Sequence, residues 1–264
     1  MVSLDQPTSA AKPPRARTTV LLVDDQRFVG LALARLLDGD SGFELHCCER
    51  GAEAADTAER IHPDVILQDL VMPDADGLAL VQTFRQRAAT AATPVIVLSG
   101  NDDAATRARA LAAGAADYLV KLPSRDALIA CLNRQLSHAS DTAAPVDADH
   151  GPDGDGPLDS AVLASYRDTG AADPNETVRA LVGIFLTDSE ALVERLRPAL
   201  VAHDAAEIAR AAHALKGCAM AVGARRLAAV CAALEAGDAA DAAGVARLEH
   251  EIDRVKEACA QAVM

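Results

Sequence analysis

The stretch Val20-Leu21-Leu22-Val23-Asp24-Asp25 is a run of four apolar residues that ends in two carboxylates. Further apolar runs follow at Phe43-Glu44-Leu45, Val65-Ile66-Leu67, Val95-Ile96-Val97-Leu98 and Tyr118-Leu119-Val120. Continuously apolar runs of this length are typical of parallel strands that are covered on both faces. Helical patterns separate the runs, at 27–38, 52–61, 77–88, 103–113 and 125–137. Five strand–helix units of this size predict a doubly wound α/β domain with a five-stranded parallel sheet over residues 19–137.

The strand signals stop after residue 158. Ala- and Leu-rich segments follow at about 175–201, 204–221, 224–236 and 240–262, and a shorter one precedes them near 159–168. Asp204 is a good N-cap for the second long segment, and Gly223 and Gly237 mark the later breaks. Four long helices with short connections predict an antiparallel four-helix bundle over residues 158–264. Pro198 is expected to kink the first long helix or to end it early.

The segments outside these two domains are poor in large apolar residues. Residues 1–18 lack the apolar core of a signal peptide and are expected to form a disordered tail. Residues 138–157 are rich in Asp and Gly, which predicts a flexible acidic linker. Because no apolar run approaches the roughly 18 residues of a membrane span, we expect a cytoplasmic protein without membrane insertion.

The charge balance argues against nucleic acid as a partner. The formal net charge is −14, and no clustered basic face is visible. Binding to nucleic acid depends on Lys and Arg side chains that face phosphates. We therefore expect protein partners and a divalent cation.

Polar side chains follow several of the predicted strands at the point where each strand ends. Asp24 and Asp25 follow the first strand, Asp69 ends the third, Ser99 ends the fourth, and Lys121 follows the fifth. Open parallel sheets place their ligand crevices at this edge. If the strand order is 2-1-3-4-5, the three carboxylates converge, and an all-oxygen cluster of this kind suits Mg²⁺. A phosphoryl group on Asp69 would then be neutralised by Mg²⁺ and by Lys121, while Ser99 donates a hydrogen bond to it.

This set of residues resembles a response-regulator receiver domain. The set is Asp24-Asp25, Asp69, Ser99, Tyr118 and Lys121, with Met72-Pro73 and Gly77 after the third-strand aspartate. The resemblance implies that Asp69 is the phosphoacceptor, and that Ser99 and Tyr118 are the switch pair that reports its phosphorylation. It also implies that Asp24, Asp25 and the backbone carbonyl of Val71 join Asp69 in holding Mg²⁺. In Lys121-Leu122-Pro123 the chain departs from the family, which usually has Pro directly after the lysine.

A second candidate site lies in the predicted helix 204–221. The apolar seam of this helix is Ile208, Ala212, Leu215, Ala219 and Val222. His213 lies about 140° away from Ile208 around the helix, so we expect it to face solvent. Lys216 and Gly217 are its neighbours on the same surface. A glycine inside a helix costs roughly 1 kcal/mol relative to Ala, and we attribute Gly217 to access to the imidazole and Lys216 to the binding of phosphoryl oxygens.

The second site also resembles a known family, the histidine phosphotransfer (HPt) domain, over about 158–262. The pattern is His213-x-Leu215-Lys216-Gly217, followed by Gly223, Leu227 and Leu234-Glu235. The resemblance implies that His213 is a phosphoacceptor and that a docked receiver, with its Mg²⁺, supplies the chemistry.

Together the two signatures predict a two-component phosphorelay protein. Neither a P-loop nor a kinase-type Gly-rich segment is present, so we expect a phosphotransfer intermediate and not an enzyme that uses ATP. A partner sensor histidine kinase is expected to phosphorylate Asp69, and His213 to exchange phosphoryl groups with Asp69 or with other receiver or HPt proteins. Two alternatives use the same residues. Phosphorylation of the receiver would gate docking of the HPt domain, or the chain would serve as a phosphate sink.

Overall fold

The computed structural model describes residues 17–38, 42–100, 103–121, 123–137, 156–167, 174–238 and 242–262. Most of the predicted tail and of the predicted linker, together with Leu122, therefore lies outside the described residues.

The first domain alternates strands and helices. Its strands are β1 (Thr18–Val23), β2 (Phe43–Cys48), β3 (Val65–Asp69), β4 (Val95–Ser99) and β5 (Asp117–Val120). Its helices are α1 (Arg27–Leu37), α2 (Gly51–Ile61), α3 (Gly77–Gln86), α4 (Ala104–Ala112) and α5 (Arg125–Ser137). All neighbouring strands pair in parallel, in the order β2-β1-β3-β4-β5. The predicted doubly wound fold and its strand order are confirmed.

The continuously apolar strands lie at the centre of the sheet because both of their faces are covered. One face is formed by residues such as Val20, Leu22, Leu67 and Ile96, which pack towards α1 and α5. The alternate residues, among them Leu21, Val23, Ile66 and Val97, pack against α2 and α3 on the other face. In the register of β1 with β3, Val23 lies opposite Gln68. The aspartates that follow these two positions therefore emerge side by side at one edge.

The second domain is helical. It contains a short α6 (Ser160–Ser165) and four long helices, α7 (Pro174–Ala202), α8 (Ala205–Ala221), α9 (Arg225–Ala236) and α10 (Ala242–Ala262). Each long helix packs against its neighbour, and α10 returns to α7, which closes a four-helix bundle. Asp204 caps α8 as predicted, since its side chain accepts a hydrogen bond from the Glu207 N–H at 3.1 Å. Among the described residues, no helix is long and apolar enough to cross a membrane.

Of the two expectations for Pro198, the early end of its helix is wrong, and the kink stays a prediction. Helix α7 continues through Pro198 to Ala202. Leu196, Ala199 and Leu200, on either side of the proline, are buried in the core of the bundle. Burial of this apolar face offsets the hydrogen bond that a proline cannot donate, and the last turn of α7 stays helical.

Helix α1 of the α/β domain also packs against the helical bundle. It is buried on more than one side, at Phe28, Val29, Ala32, Leu33 and Leu36 among other positions. One side packs against β2 and α5, and another side packs against α7 and α8 of the bundle. The apolar core is consequently continuous from the sheet through α1 into the bundle. This docking of the bundle on the α/β domain brings their two candidate sites together.

At the other end of the sheet, Asp117 ties β5 to α5. Its carboxylate accepts hydrogen bonds from the Tyr118 N–H at 2.8 Å, the Gln135 amide at 3.0 Å and the Cys131 thiol at 3.3 Å, and it pairs with the Arg134 guanidinium. Burial by itself would raise the pKa of Asp117, but the bonds from Arg134 and Tyr118 outweigh it and lower that pKa. The folded state therefore favours the carboxylate. Its stabilisation is present above the unfolded pKa, near 3.9, and is lost as the pH falls from there through the folded pKa.

Replacing this carboxylate is expected to destabilise the α/β domain. Asp117→Asn should lower the free energy of unfolding by about 1–3 kcal/mol at pH 7, because Arg134 and Gln135 lose a charged acceptor. The difference from wild type should shrink below about pH 4, where Asp117 of the unfolded wild-type chain begins to take up a proton while the folded carboxylate stays ionised.

The two tyrosines of the chain, Tyr118 and Tyr166, report on one domain each. The protein is labelled with 3-fluorotyrosine and unfolded in urea, and unfolding is followed by ¹⁹F NMR. The loss of stability should appear as a lower urea midpoint at the Tyr118 resonance. Asp253→Asn, which changes an exposed carboxylate on α10, is the control. An Asp117→Asn protein with an unchanged Tyr118 midpoint at pH 7 would contradict the prediction.

Candidate phosphotransfer site

Three carboxylates meet at the carboxyl end of the sheet. Asp24, Asp25 and Asp69 each offer an oxygen, and these oxygens all lie within 4.8 Å of one another. Asp24 and Asp69 are almost fully buried, at 3% and 1% exposure. The convergence predicted from the strand order is confirmed, because β1 and β3 are adjacent in the sheet.

A buried lysine bridges two of these carboxylates. Lys121 Nζ lies 2.8 Å from Asp69 Oδ2 and 3.1 Å from Asp24 Oδ2. Burial alone would lower the pKa of Lys121, but the charges of Asp24 and Asp69 outweigh burial and raise it. Burial raises the pKa of Asp24 to about 7, although Lys121 partly offsets this effect. The ammonium is therefore held in its charged form, next to a carboxylate cluster that one cation does not neutralise.

The remaining polar atoms of the cluster fit a divalent cation. Asp25 Oδ1 is buried and has no hydrogen-bond partner, and burial, followed by the charge of Asp69, raises the pKa of Asp25. A buried oxygen without a partner and an excess of negative charge are both relieved by a hard cation, and carboxylate oxygens are ligands that Mg²⁺ prefers. Val71 lies close to the cluster, since its N–H donates to Asp69 Oδ1 at 3.2 Å. The role of its carbonyl as a ligand stays a prediction.

The loop after Asp69 lies so close to the start of α3 that only glycine fits at the first residue of that helix. A Cβ on Gly77 would lie 2.3 Å from the backbone oxygen of Asp69. The Gly77 N–H donates to the Leu70 carbonyl at 3.2 Å. Asp76 then caps α3 by accepting from the Leu78 and Ala79 N–H groups at 2.8 and 3.2 Å. These contacts hold the segment that carries Val71 against the end of β3.

The two residues of the predicted switch lie on neighbouring strands. Ser99 ends β4 and is 7% exposed, and Tyr118 in β5 is 1% exposed. Arg107 of α4 covers the Tyr118 ring, with its guanidinium carbon 5.5 Å from the ring centroid, and it donates to the Tyr118 carbonyl at 3.3 Å. The tyrosine is therefore turned inward under an arginine. Its function as a switch stays a prediction.

On the bundle, a glutamate joins the two residues of the histidine motif. His213 Nδ1 lies 2.7 Å from Glu235 Oε1, and Lys216 Nζ lies 2.6 Å from Glu235 Oε2. Burial would raise the pKa of Glu235, but the hydrogen bonds with His213 and Lys216 outweigh it and lower that pKa to about 2. Because an ionised Glu235 can only accept, it favours the tautomer with the proton on Nδ1 and leaves Nε2 with the unprotonated lone pair.

Sequence reasoning assigned no role to Glu235. The HPt resemblance included Leu234-Glu235 only as part of its pattern. Glu235 is 22 residues from His213 and lies on the next helix, so their contact depends on how α8 and α9 rotate against each other. The signal that could have identified Glu235 was its position directly after Leu234, a buried residue on α9.

The expectation that His213 faces solvent is wrong. His213 is only 8% exposed, and the Lys216 side chain is only 12% exposed. The helical wheel correctly turned His213 away from the core of the bundle. However, the α/β domain lies across that face, since Leu70 and Val71 after β3 and Gly100 after β4 line the same cavity as His213.

The space beside Gly217, which the sequence assigned to access to the imidazole, is filled in the structure by the Gln26 side chain. A Cβ on Gly217 would lie 2.2 Å from Gln26 Oε1.

The two candidate sites face each other across one cavity of about 570 Å³. On the α/β side it is lined by Leu70 and Val71, which follow Asp69, and by Ser99. On the bundle side it is lined by His213, Lys216 and Glu235. The domains approach closely here, since a Cβ on Gly100 would lie 3.3 Å from Lys216 Cε. Residues beside Asp69 and the histidine motif, which are more than 140 residues apart in sequence, thus border one cavity.

Comparison with known proteins agrees with both resemblances. Residues 20–133 match the family model of the response regulator receiver domain, and residues 180–258 match that of the Hpt domain. The chain is 38% identical over 130 residues to the KDP operon transcriptional regulatory protein KdpE of Escherichia coli K12, which covers 48% of this chain and 55% of KdpE. It is 35% identical over 129 residues to the DNA-binding transcriptional regulator NtrC of the same strain, which covers 49% of this chain and 27% of NtrC.

Among solved structures, a putative response regulator from Chloroflexus aurantiacus is 30% identical to the chain. It covers 46% of this chain and 98% of its own length, with a TM-score of 0.44. The chain spans about half of KdpE and about a quarter of NtrC. With one family model matched in each half, the chain belongs to the two-component signalling proteins and combines a response-regulator receiver domain with an Hpt domain.

Proposed function

We propose that this protein is an intramolecular phosphorelay, in which Asp69 and His213 exchange a phosphoryl group within one chain. The observation that carries the proposal is the shared cavity, since His213 lies across it from the residues that follow Asp69. The receiver is proposed to span 19–137 and the HPt domain 158–264, with 138–157 as a flexible linker. A linker of this length keeps the local concentration of one domain near the other at roughly millimolar, which favours transfer in cis.

Asp69 would take its phosphoryl group from a phosphohistidine of a partner sensor histidine kinase. The P–N bond of the donor breaks as a P–O bond to Asp69 forms. Lys121 already contacts Asp69 Oδ2 and stays charged, so it is oriented to neutralise the transferred oxygens. Ser99, at the end of the neighbouring strand, would donate to one of those oxygens. Asp24, Asp25, Asp69 and the Val71 carbonyl would hold Mg²⁺, which when bound supplies further positive charge to the phosphoryl oxygens.

His213 would then receive the group through Nε2. The P–O bond to Asp69 breaks, a P–N bond forms, and the freed carboxylate returns to its pair with Lys121. The proton stays on Nδ1, so the phosphorylated ring becomes cationic, and Glu235 at 2.7 Å stabilises that charge. Lys216 stands beside the ring and would contact the phosphoryl oxygens. Glu235 is thus a positioning residue, and Asp69 and His213 carry the chemistry.

In the docked arrangement both acceptors are closed to outside proteins, because Asp69 and His213 are 1% and 8% exposed. Exchange with a kinase, or with other receiver or HPt proteins, therefore requires the two domains to separate. The chain would act as a carrier of phosphoryl groups and not as an ATP-dependent kinase, and its partners imply a cytoplasmic location.

The transfer is tested by following label through three proteins, wild type, Asp69→Asn and His213→Gln. Each is incubated with Mg²⁺ and a ³²P-labelled phospho-HPt protein as donor. Wild type should carry alkali-stable label on His213, His213→Gln should stop with alkali-labile label on Asp69, and Asp69→Asn should carry none. Because the transfer is intramolecular, its rate should not change when the protein is diluted. Label on His213 in Asp69→Asn, or a rate proportional to protein concentration, would contradict the cis relay.

Removal of the glutamate is expected to slow only the second transfer. Glu235→Ala should lower the rate of label arrival at His213 by about tenfold to hundredfold, the value of one hydrogen bond to a charged group. The rate at which Asp69 is labelled by the donor should be unchanged. Glu235→Gln, which still accepts from Nδ1, should recover part of the rate of transfer to His213. Glu257→Ala on the exposed face of α10 is the matched control. Equal rates in Glu235→Ala and Glu257→Ala would remove Glu235 from the mechanism.

Cation binding is expected to appear as a gain in stability. At a Mg²⁺ concentration about ten times the Kd, the receiver should gain about 1.4 kcal/mol, visible as a higher urea midpoint. Asp25→Asn should lose most of this gain, because it removes the carboxylate with the unpartnered oxygen. Asp126→Asn, an exposed change in the first turn of α5, should keep the full gain. An equal Mg²⁺ response in both variants would argue against the site.

A further inference from the structure

A buried amide lies next to the loop that follows Asp69. Gln68, the residue before Asp69 in β3, is 0% exposed. In the register of the sheet it lies between Val23 of β1 and Val97 of β4, which are both fully buried in the apolar core on the α2 and α3 side. The pattern of a central parallel strand favours a hydrophobic residue at such a position, so the amide calls for an explanation.

The amide nitrogen of Gln68 contacts both ends of the segment Asp69–Met72. Nε2 donates to the backbone carbonyl of Asp69 at 2.7 Å, and it lies 3.6 Å from Met72 Sδ, which is a weak acceptor. The Val71 carbonyl belongs to a peptide that lies, along the chain, between these two points. One side chain in the core therefore restrains the segment that carries this carbonyl.

The start of α3 restrains the same segment from the other side. The Leu70 carbonyl accepts from the Gly77 N–H at 3.2 Å, and Val71 pairs with Asp76 in an isolated antiparallel bridge. Gln68 adds a restraint from the core. The loop is consequently held between a helix terminus and a buried amide.

The other half of this amide is unsatisfied. Gln68 Oε1 is buried and has no hydrogen-bond partner among the described residues. Exchanging the two amide atoms would bring Oε1 to 2.7 Å from the Asp69 carbonyl oxygen, where two acceptors would face each other, so this orientation is the favourable one. A buried acceptor without a partner costs folding free energy, and an apolar side chain of similar shape avoids that cost. Gln68 thus restrains the loop at the expense of the core.

We propose that Gln68 is a positioning residue, whose amide sets the position of the Val71 carbonyl for the divalent cation. The inference rests on the proposed function, which assigns this carbonyl and the three carboxylates to Mg²⁺. Gln68 acts through the backbone of Asp69 and the side chain of Met72. A purely structural residue would support stability and cation binding together, whereas a positioning residue with an unsatisfied oxygen supports cation binding alone.

The test replaces the amide by apolar side chains. Gln68→Met keeps the unbranched shape of glutamine without a donor, and Gln68→Leu is a second apolar variant of different shape. Gln82→Met, the same replacement on the exposed face of α3, is the matched control. The full-length proteins are labelled with 3-fluorotyrosine, and the urea midpoint at the Tyr118 resonance is measured without Mg²⁺. The Kd for Mg²⁺ is then obtained from the rise of that midpoint with Mg²⁺ concentration.

Without Mg²⁺, the midpoint of at least one Gln68 variant should equal or exceed that of wild type, because the unpartnered oxygen is gone. The same variant should have a Kd for Mg²⁺ about threefold to tenfold higher, the effect of losing one hydrogen bond that holds the loop. Gln82→Met should match wild type in both quantities. An unchanged Kd overturns the proposal. A higher Kd that appears only with a lower midpoint, in both apolar variants, also overturns it, because a damaged core then explains both changes.

A second measurement follows phosphorylation of Asp69 by the ³²P-labelled phospho-HPt donor. The well-folded Gln68 variant should need about threefold to tenfold more Mg²⁺ to reach half of its maximal rate. The donor concentration at half-maximal rate should stay that of wild type, and a change in this quantity alone would contradict the proposal.

The two proposals fail in different ways. If wild type never labels His213, the relay is wrong, and the Kd for Mg²⁺ still decides the role of Gln68. If wild type shows no Mg²⁺-dependent midpoint, the metal site is wrong and the role of Gln68 falls with it. If wild type binds Mg²⁺ and the well-folded Gln68 variant binds it equally well, only the positioning role is wrong.

Discussion

The rest of the site depends on one interaction, the ion pairing of the Lys121 ammonium with both Asp24 and Asp69. Three carboxylates within 4.8 Å repel one another, and burial strengthens that repulsion. Removing one partner from a buried pair typically costs about 3–5 kcal/mol, because the other charge is left uncompensated. The sheet order makes the bridge geometrically available, since β1 and β3 are adjacent and Lys121 reaches across from the end of β5.

Helix α1 extends this local arrangement to the whole molecule. A receiver helix needs only one apolar stripe to cover its sheet, but α1 is apolar on a second side as well, where α7 and α8 pack. Because Gln26 starts this helix directly after the acidic pair, the contact that unites the domains begins at the site itself. The proposed relay depends on this helix, because α1 packs in the cores of both domains.

Much of the fold was predictable because the relevant forces are local. Continuously apolar runs predicted the central strands, and the cap at Asp204 predicted the start of α8 to within one residue. The early end expected at Pro198 was wrong because a local rule about a missing hydrogen bond was applied without the tertiary burial of Ala199 and Leu200. His213 was misjudged for a related reason, since the helical wheel described the bundle without the receiver that covers it.

The sequence by itself determined which residues are the candidates for the chemistry: Asp69 with its carboxylates and lysine at strand ends, and His213 with Lys216 and Gly217 on one helix. Residue type and periodicity encode these features directly, because strand ends and helix faces are local properties. Only the tertiary structure decided that Glu235 contacts the imidazole, that Gln26 fills the space above Gly217, and that His213 shares a cavity with Leu70 and Val71, which follow Asp69. Those contacts depend on the rotation of α9 against α8 and on the docking of α1 across the bundle, which are set by packing between elements far apart in the chain.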